Sequence, residues 1–153
     1  MVLAIDRSGL VGEDGPTHHG AFDLSFLRII PGLVILAPKD GKELEDMLAW
    51  ALNYEGPVAL CYPRGSLTPL GSEEPIALGR GQRLSTGQDL NFITLGSMVG
   101  TCQEAAKLLA RQGIDAGVVN ARFVKPLDVE LIRSTPGYLI TVEENVLMGG
   151  FGS

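Results

Sequence analysis

The chain has 153 residues, 45% of them apolar, which is enough for the packed core of one ordinary domain or two small ones. A formal net charge of −6 without any basic cluster argues against nucleic acid as a partner, and no apolar run approaches the roughly 20 residues of a membrane span. No signal peptide is recognised, and Cys61 and Cys102 are interpreted as reduced core thiols of a cytoplasmic protein.

Strand and helix patterns alternate in the first half of the chain. The apolar run from Val2 to Ile5 predicts a buried strand, which leads into a loop rich in Gly, Asp and His over residues 6–20. Asp40 and Glu43 have the spacing of a capping box, which predicts the start of a helix. One face of that helix carries an apolar stripe, formed by Leu44, Met47, Leu48, Ala51 and Leu52. The other predicted elements are a short helix over 24–30 and strands over 33–37 and 58–62.

Residues 65–75 are dense in Gly, Pro, Ser and Thr, and this composition predicts a linker between two domains, 1–64 and 76–153. The elements predicted for the second domain are strands over 76–83, 92–95, 116–120 and 139–142, a helix from a capping box at Thr101 and Glu104 to Gly113, and a short helix from Asp128 to Arg133. Strands separated by helices predict the α/β class, with parallel-sheet, three-layer units and helices on both faces.

The loop over residues 6–20 holds the first candidate site, because open α/β sheets bind ligands at the ends of their parallel strands. Arg7 offers a planar fork of donors suited to phosphate or carboxylate, Asp14 accepts hydrogen bonds, and His18 can move protons near neutral pH. Each of them alone is also typical of a solvated surface group. No metal site is predicted, since His18 and His19 are adjacent and lack the spacing of metal ligands.

The run DRSGLVGEDGPTHHGAFDLSFLRIIP closely resembles the pyrimidine-domain signature of the 1-deoxy-D-xylulose-5-phosphate synthases, a family in the thiamin-diphosphate-dependent transketolase group. Three later stretches support the resemblance, in this order: YPRG at 62–65, ARFVKPLD at 121–128, and VEEN at 142–145 with MGGFGS at 148–153. The resemblance runs from the first residue to the last. It implies that 1–64 is the second half of a pyrimidine-binding domain and that 76–153 is a transketolase C-terminal domain truncated at its end.

The resemblance also implies a reaction. Enzymes of this family condense pyruvate with glyceraldehyde 3-phosphate with loss of CO2, for isoprenoid precursor, thiamin and pyridoxal biosynthesis, using thiamin diphosphate and Mg²⁺. Arg7 and Arg64 match the family's phosphate-binding arginines, and each follows a predicted strand end. Asp14 and His18 match residues that contact the substrate or the thiamin-bound intermediate, and His18 would protonate the forming alkoxide. A homodimer is expected for the full-length enzyme.

Parts of the family's machinery have no match in this sequence. The G-D-G motif with its following Asn, which binds the metal and the diphosphate, is absent, and the activating Glu lies upstream of the matched region. We therefore expect a fragment that carries part of the acceptor-substrate site and is inactive alone. Glu143, Glu144 and Asn145 are interpreted as domain and dimer packing. The alternatives are a fragment of another thiamin enzyme (transketolase or an oxo-acid dehydrogenase beta subunit) and a non-catalytic module that binds a ligand or a partner.

Overall fold

The computed structural model describes residues 1–66, 68–71 and 74–153. Two four-stranded sheets are formed within these residues, and three strands of each are parallel. The predicted α/β class with parallel sheets is therefore confirmed. The predicted linker over 65–75 lies partly outside the described residues, and those of its residues that are described form neither helix nor strand. No helix in the described part of the chain is both long and apolar enough to cross a membrane.

The first sheet has the strand order β1-β3-β2-β7. Strands β1 (Val2–Ile5), β2 (Val34–Leu36) and β3 (Val58–Cys61) are parallel. Strand β7 (Phe123–Lys125) comes from the second half of the chain and pairs with β2 in the antiparallel direction. Strand β7 was not expected from the sequence, because its three residues are too few for a periodic pattern. The first sheet therefore needs residues from both halves of the chain.

The second sheet has the order β4-β6-β5-β8. Its strands are β4 (Gln82–Ser85), β5 (Leu90–Thr94), β6 (Ala116–Asn120) and β8 (Tyr138–Val142). The last three are parallel, whereas β4 pairs with β6 in the antiparallel direction. The strand predicted over 76–83 corresponds to β4, which begins later than predicted, at Gln82. Hydrogen bonds from β5 on both sides place β5 at the centre of the parallel set.

Four helices connect these strands within the described residues: α1 (Asp23–Leu27), α2 (Gly41–Leu52), α3 (Met98–Ala110) and α4 (Val129–Arg133). The predicted caps of α2 and α4 are confirmed, since the side chains of Asp40 and Asp128 accept from the backbone amides of Glu43 and Leu131. The predicted capping box at Thr101 is wrong. Helix α3 begins one turn earlier, after Ser97, so Thr101 lies inside it.

The main core lies between the two sheets. It joins Ile35 and Ala59 of the first sheet to Ile93 and Val119 of the second, all of them fully or almost fully buried. The opposite face of the first sheet is covered by α2, whose buried face differs from the predicted stripe. Leu48 and Leu52 of that stripe are exposed, whereas Met47 and Ala51 are buried with Phe123 of β7. The side of α2 that is buried is the one that packs on β2, β3 and β7, and periodicity alone cannot identify these partners.

Candidate functional site

The loop that follows β1 is closed at its base. The amide of Gly20 donates to the carbonyl of Arg7 at 3.0 Å, and the amide of Gly9 donates to the carbonyl of Gly20 at 3.3 Å. Such closely spaced ends are typical of a compact surface loop packed by its own side chains. A Cβ on Gly20 would lie 2.3 Å from the Arg7 carbonyl oxygen, so this closure requires glycine. The loop contains two short 3₁₀ turns, at Gly12–Asp14 and Pro16–His18.

Two arginines converge on Asp14 at the edge of the first sheet. Arg7 Nε donates to Asp14 Oδ2 at 2.7 Å, and Arg64 Nη1 forms an ion pair with the other carboxylate oxygen. Arg7 follows β1 and Arg64 follows β3, and these parallel strands are neighbours, so their carboxyl ends bring both side chains together. The structure thus unites three of the four predicted site residues.

The backbone conformation of Arg7 supports a function at this point. Its φ is +64°, in the left-handed region that side-chain-bearing residues rarely adopt. Such strain costs of order 1–3 kcal/mol and occurs preferentially at functional sites. The Arg7 and Arg64 side chains are 35% and 47% exposed, whereas the Asp14 side chain between them is only 15% exposed. A carboxylate thus occupies the inner side of two guanidinium groups that both remain accessible from solvent.

The two adjacent histidines have different environments. His18 is exposed, and its Nδ1 lies 3.1 Å from Thr17 Oγ1. His19 is half-buried, and its Nδ1 accepts a hydrogen bond from the Val11 amide at 2.9 Å. His19 therefore fastens the loop internally, while His18 presents its ring to solvent. None of the described hydrogen bonds or ion pairs joins His18 to Arg7, Asp14 or Arg64.

A narrow cleft lies behind the loop, between the carboxyl ends of the two sheets. The space open to water there is about 40 Å³, room for a few water molecules. Its polar lining includes Ser8, Asp23, Cys61, Ser97, Glu144 and Asn145. Burial raises the pKa of Asp23, and burial together with the nearby Asp23 carboxylate raises the pKa of Cys61 to about 12. Cys61 is therefore a protonated, unreactive thiol at neutral pH, in agreement with its interpretation as a core residue.

The segment 143–150 contacts the loop and the helix that follows it. From the sequence, its residues Glu143, Glu144 and Asn145 were expected only to pack between domains or subunits. Glu144 lies directly under Gly9, and Ser97 Oγ donates to the Glu144 carboxylate. Asn145 forms hydrogen bonds with α1, the helix that follows the loop. The only signal in the sequence was the resemblance of VEEN to a family motif, which does not say what these side chains touch.

Substitution of Gly9 provides a test of this close approach. Gly9 has a φ of +80°, and an added Cβ would lie 2.5 Å from Glu144 Oε1. Gly9→Ala in the complete protein should therefore lower the free energy of unfolding by about 1–3 kcal/mol, measured by denaturant titration. Gly15→Ala is the matched control, because Gly15 has a similar φ of +82° but no atom within 4 Å of the position that an added Cβ would take, so it should cost less than Gly9→Ala. Equal effects of the two substitutions would mean that the contact with Glu144 is unimportant.

No group of three or more His, Cys, Asp or Glu side chains that could bind a metal ion was found in the part of the chain that the structure describes. Two of the carboxylates in or near the loop already have partners of other kinds. Asp14 is held by two arginines, and Glu143 accepts from the amides of Phe151 and Gly152 at 2.7 and 2.8 Å. The described residues therefore do not fit a site for a magnesium-bound diphosphate.

Comparison with protein families matches both halves of the chain. Residues 1–69 match the family of transketolase pyrimidine-binding domains, and residues 79–153 match that of transketolase C-terminal domains. Among curated proteins, the chain is 56% identical to a 1-deoxy-D-xylulose-5-phosphate synthase from Heliobacterium modesticaldum and 52% identical to one from Desulforudis audaxviator. Both alignments cover the whole of this chain but only 25% of the relative, so the chain spans about a quarter of their length.

Solved structures show the same relationship at lower identity. A chain described as a split-gene transketolase, inactive beta4 tetramer, superposes with a TM-score of 0.89 at 31% identity, covering 99% of this chain and 50% of that one. A transketolase from Campylobacter jejuni superposes with a TM-score of 0.73 at 28% identity, covering 93% of this chain and 24% of that one. The arrangement of the two sheets is therefore shared with known transketolase structures.

Proposed function

Since this chain belongs to the 1-deoxy-D-xylulose-5-phosphate synthase family of transketolase-like proteins, we propose that it forms part of the acceptor site of such an enzyme. The complete protein would condense pyruvate with glyceraldehyde 3-phosphate, with loss of CO2. The identities favour this reaction over that of a transketolase, because they reach 56% for the named synthases against 31% and 28% for the transketolase structures.

The observation that carries the proposal is the convergence of Arg7 and Arg64. Two guanidinium groups with planar donor forks are better matched to a phosphate dianion than to a single carboxylate. In the structure, Asp14 occupies part of this donor set, and Asp6 pairs with Nη1 of Arg7. We infer that Asp14 keeps the two arginines close together before the acceptor arrives, and that the acceptor's phosphate then takes over donors on their exposed side.

His18 would act on the other end of the acceptor. Its ring is exposed on the same loop as Arg7 and Asp14. An aldehyde substrate therefore has access to the ring. A histidine can hydrogen-bond the acceptor's carbonyl oxygen and donate a proton as that oxygen gains negative charge. Asp14 and His18 would thus share the acceptor, with Asp14 ordering the arginines and His18 handling the proton.

We propose that the main binding motifs for thiamin diphosphate and Mg²⁺ lie in parts of the complete enzyme that this chain does not match. The described residues do not fit a magnesium-diphosphate site, and the sequence has no G-D-G motif. We therefore assign no step to thiamin diphosphate here, and we expect the chain alone to be inactive. The homodimer, the magnesium requirement and the cytoplasmic location of the complete enzyme are proposals that rest on the family resemblance. The division into 1–64, a linker over 65–75 and 76–153 is likewise a proposal, supported by the two domain matches.

Replacing the arginines in the complete enzyme tests the phosphate site. Arg7→Ala or Arg64→Ala should raise the KM for glyceraldehyde 3-phosphate about ten- to a hundredfold, because each removes a charge-assisted hydrogen bond worth roughly 1.5–3 kcal/mol. The KM for pyruvate should change little. Steady-state kinetics with each substrate varied in turn gives both values.

Arg111→Ala is the matched control for this experiment. Arg111 is an exposed arginine at the end of α3, on an element that contributes nothing to the arginine site, so both KM values should stay at the wild-type level. An equal rise of both KM values in the Arg7 and Arg64 variants would mean that the arginines are structural. Unchanged values for both substrates would refute the phosphate site.

A further inference from the structure

Asn145, which follows β8 in the second half of the chain, is hydrogen-bonded to α1, the helix that follows the loop over residues 6–20. Its Oδ1 accepts from the Leu24 amide at 3.1 Å, and its Nδ2 donates to Ser25 Oγ at 2.8 Å and to the Val146 carbonyl at 2.9 Å. The Val146 amide donates in turn to the carbonyl of Ala21 at 2.8 Å. The bond between Asn145 and the Leu24 amide joins positions 121 residues apart in the sequence.

Helix α1 has no cap of its own. Its N-cap residue is Phe22, which has no side-chain oxygen, and no side-chain cap is formed there. An N-cap side chain normally accepts from the second or third amide of the helix, and Leu24 is the second residue of α1. The acceptor that the local sequence lacks is therefore supplied by Asn145, in the segment that follows β8.

The capped helix is directly attached to the candidate site. Gly20 closes the base of the loop on the Arg7 carbonyl, and α1 starts three residues later. The position of α1 therefore determines where Gly20 lies, and through Gly20 where the strained backbone of Arg7 lies. At the other end of the loop, Gly9 rests on Glu144, the residue next to Asn145. The second half of the chain thus supports both ends of the loop.

We propose that Asn145 is a positioning residue for the acceptor site, which holds Arg7 in its phosphate-binding geometry by capping α1. This inference rests on the proposed function of Arg7. Asn145 is not itself a catalytic residue, because it acts on the loop base and on none of the reacting atoms. The proposal gives the second domain an indirect part in acceptor binding, through the position of α1.

The test compares Asn145→Ala with wild type in the complete enzyme, by kinetics and by hydrogen exchange. The KM for glyceraldehyde 3-phosphate should rise about 3- to 30-fold, the range that corresponds to loss of one N-cap, while kcat and the KM for pyruvate stay near wild type. Amide exchange should accelerate in the loop and α1, residues 8–27, and not in β5 or β6. A general loss of packing would instead accelerate exchange throughout the second sheet and reduce kcat.

Ser25→Ala is the matched control. It removes the bonds of Ser25 Oγ to Asn145 and to the Met148 carbonyl but leaves the bond between Asn145 and the Leu24 amide intact. It should therefore have a smaller effect on the KM for the acceptor. Should Asn145→Ala fail to fold, Asn145→Asp keeps the capping oxygen and drops the Nδ2 donor, and its loop exchange should equal that of wild type. Faster loop exchange in Asn145→Asp would overturn the proposal.

A double variant connects Asn145 to Arg7. If Asn145 acts through Arg7, adding Asn145→Ala to Arg7→Ala should raise the acceptor KM little further, since the positioned group is already gone. Independent, multiplying effects would overturn the proposal, as would unchanged loop exchange or an unchanged acceptor KM in Asn145→Ala. If Arg7→Ala alone leaves the acceptor KM unchanged, the phosphate site fails. The inference about Asn145 is then overturned with it, and the single Arg7 variant shows where the failure began.

Discussion

His18→Ala in the complete enzyme is expected to lower turnover with glyceraldehyde 3-phosphate by about 10²–10⁴-fold, the usual contribution of a general acid. The reason is that His18 presents an exposed imidazole ring on the loop that also carries Arg7 and Asp14. On the proposed function, removing His18 takes away the group that protonates the acceptor's oxygen. Single-turnover measurement of product formation, with both substrates saturating, separates this loss from any change in binding.

Two further variants define what His18 contributes. His18→Gln keeps a hydrogen-bond donor without proton transfer, so turnover between that of wild type and His18→Ala would separate positioning from acid catalysis. His19→Ala should act differently, because His19 Nδ1 accepts from the Val11 amide and fastens the loop. It should raise the acceptor KM more than it lowers kcat. Near-normal turnover of His18→Ala would refute the catalytic role, and loss of folded protein would show that His18 is a packing residue.

Arg122→Ala should lower the free energy of unfolding by about 3 kcal/mol, because it breaks a buried ion pair and leaves the Glu43 carboxylate with Lys39 as its one remaining cationic partner among the described ion pairs. Arg122 Nε donates to Glu43 Oε1 at 2.7 Å, and both side chains are only 2% exposed. Glu43 also accepts from the side-chain amide of Asn120 at 3.1 Å and from Lys39 Nζ at 3.3 Å. Without Arg122, the Glu43 carboxylate loses its closest cationic partner in the interior.

Arg122 also forms hydrogen bonds with the backbone just before the second half of the chain. Its remaining guanidinium nitrogens donate to the carbonyls of Glu74 and Pro75, and its φ of +57° is otherwise unfavourable for a side-chain-bearing residue. Denaturant unfolding of the complete protein measures the effect. Lys107→Ala is the control, because the Lys107–Glu104 pair is an exposed i,i+3 pair, with side chains 67% and 70% exposed, and its loss should cost about 0.5 kcal/mol or less. Equal losses for the two variants would contradict the importance of burial.

Local features of the sequence predicted most of the secondary structure. The strands over 2–5 and 116–120 and the caps at Asp40 and Asp128 depend on neighbouring residues, so their signals are present in the printed sequence. The prediction of a cap at Thr101 failed because the Ser/Thr-to-Glu spacing also occurs inside a helix. Helix α3 begins earlier, and its first turn includes the fully buried Val99. For the site, the sequence predicted that Arg7 and Arg64 lie close together, because each follows a predicted parallel strand.

The sequence by itself determined the α/β class, the strand-end loop and the arginines that follow β1 and β3, because apolar periodicity and turn chemistry are local properties. Only the tertiary structure decided the contacts between distant segments. It paired β7 with β2, gave Glu43 of α2 its partner Arg122, and placed Asn145 at the start of α1. Such pairs are 79 to 121 residues apart and depend on how two sheets pack face to face, which no local pattern encodes.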